Sequence, residues 1–131
     1  MKRLLIFVSF LGVACHPDRI TAPSVDLALA VRVEPSAQYA QWWSDLEACS
    51  GMWGTLSAVS FYEVGGYDFP VKGHDFWGYW FEDGNKIVLA TAHAQDKTLV
   101  EHEMMHALLQ TGLHPALYFN GACGDLTYPN E

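Results

Sequence analysis

Two histidines four residues apart, with a glutamate directly after the first, constrain this chain more than anything else in it. They lie in His102-Glu103-Met104-Met105-His106, inside the run from Asp96 to Gly112. Nothing between Lys97 and Thr111 breaks a helix, and Gly112 with Pro115 behind it makes a stop. Asp96 or Thr98 can cap the start, and Thr98 with Glu101 three later fits a capping box. On such a helix His102 and His106 share one face, one turn apart. Two imidazoles so placed can hold one metal ion. Glu103, about 100° round the helix, can reach a water on the open side of that ion. Val100, Met104, Ala107, Leu108 and Thr111 form an apolar stripe that any packed helix would carry. The histidines and the carboxylate are different, because burying them without partners is costly. A metal ion is the economical partner for all three.

The chain has 131 residues, half of them apolar and 14% aromatic, which suits one domain with a modest core. A formal charge of −8 argues against nucleic acid or anionic membrane as charge-recognised partners. Residues 1–14 read as an export signal: Lys2 and Arg3 are basic, and Leu4 to Val13 is apolar or small and too short to span a bilayer. Leu11-Gly12-Val13-Ala14-Cys15 resembles the bacterial lipoprotein cleavage box, with Gly12 where that box favours Leu. The expectation is a lipid on Cys15, through which alone the protein touches membrane. Gly12 and Ala14 also suit ordinary signal peptidase, which would give a secreted product. Residues 15–24, with Pro17 and Pro23, form a tether, and residues 25–131 the domain. Three cysteines is an odd number for an exported chain. With Cys15 lipidated, Cys49 and Cys123 remain, far apart and without a Cys-x-x-Cys pair, so a disulfide is expected.

Val25 to Val33 alternates loosely and reads as a first strand or extended lead-in. Pro35-Ser36 opens a helix to about Cys49, with Tyr39, Trp42, Trp43 and Leu46 on its apolar face and Gly51 closing it. Trp53 to Val64 reads as a strand, broken near Ser57, and Gly65 to Asp75 as a loop. Phe76 to Glu82 and Lys86 to Thr91 read as a hairpin about Asp83-Gly84-Asn85. Alternation places Trp77, Tyr79 and Phe81 on one face and Phe76 and Trp80 on the other. One face is core, and the other lines a pocket or meets a second layer. The order is α+β.

His-Glu-x-x-His on a helix, behind a backing helix and a small sheet, resembles the zincin metallopeptidases. That likeness implies a minimal zincin-like fold, with a backing helix, a small twisted and mostly antiparallel sheet, and the metal helix. It also implies one Zn2+ per chain on His102 and His106, and Glu103 as general base. In that family an edge strand pairs with extended peptide; here it would be Lys86 to Thr91 or its hairpin partner. The metzincin branch places a glycine three residues and a histidine six residues beyond the second histidine. Here Gly112 lies six beyond His106 and His114 eight beyond. The gluzincin branch takes a later glutamate, for which only Glu131 stands. Of the aspzincin tail only Asp125 and Tyr128 remain, so the chain matches none of the three.

A catalytic zinc takes three protein ligands and leaves one position for water. The candidates for the third are His114, Asp125, His74, His93 and Glu131. His114 is preferred and Asp125 is the alternative. Gly112 permits a reversal, and the roughly 7 Å climbed from His106 to Thr111 is about what two extended residues can return. A histidine at a helix end before Pro115 is also what the helix dipole alone would favour. His74 and His93 read as solvated loop histidines, and Tyr118 or Tyr128 could donate to a developing oxyanion. The expected function is zinc-dependent hydrolysis of a peptide or protein substrate, outside the cytoplasm. The alternatives are a non-catalytic zinc-binding structural lipoprotein and a zinc hydrolase acting on another bond.

Overall fold

A computed structural model of the chain describes residues 29–127. The export signal, Cys15 and its lipid, the tether, Tyr128 and Glu131 all lie outside these residues. The described part is α+β, as expected. Its strands are β1 (Ala30–Val33), β2 (Ser60–Val64), β3 (Phe69–Val71), β4 (His74–Phe76), β5 (Gly78–Phe81) and β6 (Lys86–Ala90). Its α-helices are α1 (Ala37–Ser50) and α2 (Lys97–Leu109), and a π-helical segment spans Tyr118–Ala122. Among these residues no helix is long and apolar enough to cross a membrane.

Helix α1 forms where its punctuation puts it. The Ser36 hydroxyl accepts from the Tyr39 N–H at 3.2 Å, and Gly51 ends the helix at φ 69°, where its N–H bonds the Glu47 carbonyl. Tyr39, Trp42, Trp43 and Leu46 are buried, as their spacing requires. The Tyr39 hydroxyl donates to the Ala94 carbonyl at 2.6 Å, tying α1 to the approach to α2. Burial, and then the charge of Glu63, push that phenol up to about 12.

Four strands form one sheet in the order β1-β2-β6-β5. The β1–β2 and β5–β6 pairs are antiparallel, and β2–β6 is parallel with Phe61 beside Ile87. The sheet is therefore mixed, and β6 is an inner strand with both faces covered. Ile87 and Leu89 join the core under the helices, whereas Val88 and Ala90 join a second apolar cluster. All four are fully buried, which explains the unbroken apolar run in β6.

The second cluster is closed by a hairpin over residues 69–76, where the Gly and Pro content of residues 65–75 predicts only loop. β3 and β4 form a hairpin about Lys72-Gly73, whose φ values of 51° and 85° are those of a tight two-residue hairpin turn. Phe69 and Val71 from this hairpin pack with Val88 and Ala90. The aromatic run is accordingly divided: Phe76 ends β4, Trp80 enters the main core, and Tyr79 and Phe81 meet the outer cluster. Both faces of the sheet are packed layers. The strand expected from Trp53 begins only at Ser60, because a 3₁₀ turn at Leu56–Ala58 interrupts it and leaves Trp53 79% exposed.

Helix α2 packs against α1, β5 and β6. Cys49 and Cys123 are joined, with Cα atoms 5.1 Å apart and a separation of 74 positions in sequence. The bridge fastens the end of α1 to the end of the π-helical segment.

Candidate metal centre

Every residue of α2 from Leu99 to Leu108 is buried. His102 is 0% exposed, Glu103 1% and His106 6%. Asp96 is the cap, its carboxylate accepting from the N–H groups of Thr98 at 3.1 Å and Leu99 at 3.3 Å. Glu101 is therefore not needed in a capping box, and it pairs instead with Lys97 at 3.5 Å. The helix stops earlier than Gly112. Gln110 takes the left-handed conformation at φ 53°, ψ 45°, and its side-chain amide donates to the Ala107 carbonyl. That amide satisfies a carbonyl the helix end would otherwise orphan. Turning two residues early gives the chain the slack to bring His114 back over the helix.

Three imidazoles converge as a result. The Nε2 atoms of His102 and His106 are 3.0 Å apart, and those of His114 and His102 are 3.2 Å apart. One ligand atom from each of the three lies within 4.8 Å of the other two. The opposite ring nitrogens decide the tautomers. His102 Nδ1 donates to the Leu126 carbonyl, and His106 Nδ1 donates to the Thr111 carbonyl at 2.7 Å. A carbonyl only accepts, so the proton sits on Nδ1 and each Nε2 turns a lone pair inward. Lone pairs 3.0 Å apart repel unless positive charge lies between them. A proton can be shared by two nitrogens, whereas a metal ion accepts from three. A tetrahedral ion with bonds of about 2.0–2.1 Å sets its ligand nitrogens roughly 3.3 Å apart, close to the spacing found. The residues present fit a metal ion, held as metal-binding histidines commonly are, with the outer N–H on a carbonyl.

Phe119, 0% exposed, backs the cluster, its ring centroid 4.9–5.0 Å from those of all three histidines. The Leu126 N–H bonds the Phe119 carbonyl at 2.7 Å, so one short tail segment supplies both the backing ring and the carbonyl on His102. Beside the cluster a small cavity of about 80 Å3 is lined by Phe76, Tyr79, Trp80, Glu103, His106, Gly112 and His114. Its strand wall is β5, one of the two outer strands of the sheet, with Phe76 of β4 beside it. Of the two strands weighed from sequence, the edge is therefore the hairpin partner and not the Lys86 strand.

The remaining candidates fall elsewhere. Asp125 is exposed, is not in the ligand cluster, and accepts from the N–H and hydroxyl of Thr127, which hold its carboxyl below the usual range. His74 is exposed on β4. His93 is no solvated loop histidine: it stacks on Trp77 at 4.5 Å with Tyr67 edge-on, and its Nε2 is enclosed. Tyr118 packs against the core.

The carbonyls of Leu126 and Thr111 escape sequence reasoning, because a backbone acceptor has no residue signature. Gly78 does have one, as the only small residue in an aromatic run. Comparison with protein-family models, with curated proteins and with solved structures gave no match.

Proposed function

We propose that this chain is an exported zinc-dependent peptidase, with His102, His106 and His114 as ligands and Glu103 as general base. The observation that carries the proposal is the position of Glu103. It is a buried carboxylate that lines the same small cavity as two of the three converging histidines. A purely structural site has all four positions filled by protein, whereas three histidines beside a cavity leave one open. Three neutral imidazoles suit zinc, and when bound that ion polarises a carbonyl and lowers the pKa of a water.

The chain's own residues do the rest. The Leu126 and Thr111 carbonyls keep two rings aimed. Glu103 takes a proton from the attacking water and returns it to the leaving amine nitrogen. Phe76, Tyr79 and Trp80 wall the cavity and thin the water around the reacting groups. Peptide is favoured over other substrates by β5, whose outer backbone edge can pair with an extended chain. A disulfide between distant cysteines supports a location outside the cytoplasm, in keeping with a lipid on Cys15.

The test is a single substitution. Glu103→Gln should retain one zinc per chain by elemental analysis, while cleavage of a peptide library falls by roughly 10²–10⁴-fold. Unchanged turnover would remove Glu103 from the chemistry, and zinc retained after His102→Ala would remove the histidines.

A further inference from the structure

Gly78 is the one residue between Phe76 and Phe81 without a side chain. Its backbone does not require glycine, because it is not among the residues of positive φ. What requires glycine is a close approach. A Cβ at position 78 would stand 3.1 Å from Glu103 Cγ, 3.1 Å from Glu103 Oε1 and 3.1 Å from Leu89 Cδ2. Contacts that short oblige a neighbour to move by a few tenths of an ångström. Leu89 is fully buried on an inner strand and has little room to yield. The carboxylate borders the cavity and can yield into it.

We propose that Gly78 is the positioning residue for Glu103: its bare Cα is the recess in which the carboxylate lies against the edge strand. This rests on Glu103 acting as general base. His102 and His106 are held separately, by the carbonyls of Leu126 and Thr111, and neither those residues nor His114 belongs to β5. A methyl at position 78 therefore displaces the base and leaves the ligands in place. Since a misplacement of about 1 Å can cost 10²-fold, a shift of a few tenths is expected to cost about tenfold in kcat.

Two double-mutant cycles on the full chain test it. The first is thermal melting of metal-free protein, with Gly78→Ala made alone and together with Glu103→Ala. Glu103→Ala removes two of the three crowding atoms, so most of the Tm lost in Gly78→Ala should return in the pair. If Gly78→Ala alone does not fold and the pair does, the proposal is upheld; equal Tm losses in both backgrounds would overturn it. The second cycle is kinetic. Gly78→Ala should bind one zinc per chain with unchanged affinity, lose about tenfold in kcat and keep KM within about twofold. In a Glu103→Gln background it should lower the residual rate no further. A fall as large in that background, or an unchanged kcat in the first, would overturn the positioning role. Should the wild-type chain cleave no peptide, the peptidase function fails by itself, and the melting cycle decides the role of Gly78.

Discussion

Removing the bridge between Cys49 and Cys123 should loosen the metal as well as the fold. The bridge closes a loop of 74 residues, for which chain entropy gives about 4.4 kcal/mol at 25 °C. That is a large part of the roughly 5–15 kcal/mol that holds a domain together. The second effect is local. The segment Phe119–Leu126 anchors itself by two buried side chains, at 0% and 3% exposure. Two such side chains contribute about 3–6 kcal/mol. Ordering the backbone of the whole segment costs about 1–2 kcal/mol per residue, which is more than they return. Without the bridge, the segment that carries the carbonyl on His102 and the ring behind the histidines is not held by its own contacts. Loss of such an outer partner typically weakens metal binding 10–100-fold. The assay is a Cys49→Ala, Cys123→Ala pair, measured by urea unfolding without metal and by zinc competition against a chromophoric chelator. A stability loss of about 4 kcal/mol with zinc affinity within twofold of wild type would refute the local part. A loss below about 1 kcal/mol would refute the global part.

Three further outcomes are expected. His114→Ala should stay folded and bind zinc more weakly, since two ligands and the bridge remain; unchanged affinity by the same competition would take His114 out of the site. Asp96→Ala should cost about 1 kcal/mol in urea unfolding, because two N–H groups at the start of α2 lose their acceptor. Tyr39, raised in the fold from 10 to about 12, adds stability that is intact below pH 10 and lost as pH climbs toward 12, because the unfolded phenol ionises first. The decline should be absent in Tyr39→Phe when unfolding is followed at pH 9, 10 and 11.

Local chemistry was legible where one residue decides the outcome. Ser36 and Gly51 bound α1, and Asp96 starts α2, because a cap needs one side chain in one place. The pair His102 and His106 follows from helical spacing alone. Long-range pairing was not legible. Nothing in Ser60–Val64 announces a parallel partner, since parallel strands share no turn. The β3–β4 hairpin hid because its turn is Lys-Gly, and lysine is not a residue that signals positive φ. The end of α2 was misplaced for the same reason: Gln110, not Gly112, takes the left-handed position. That early stop gives the chain more slack to return His114 over the helix than a helix running to Thr111 would.

The carbonyls of Thr111 and Leu126 would also bear on which ion the proposed site selects. Three imidazoles bind copper(II) more tightly than zinc when they are free to rearrange, by the ordinary order of divalent affinities. Copper(II) prefers a flattened, tetragonal set of ligands, and two of the rings here would have to give up a backbone hydrogen bond to swing into one. Each is pinned at its far nitrogen by backbone from a different stretch of chain, and Phe119 fills the space behind them. Flattening would break those bonds or push the ring aside. In the proposed site, two backbone oxygens would therefore disfavour the stronger-binding metal, and zinc-over-copper selectivity in competition should weaken first in variants that free the tail.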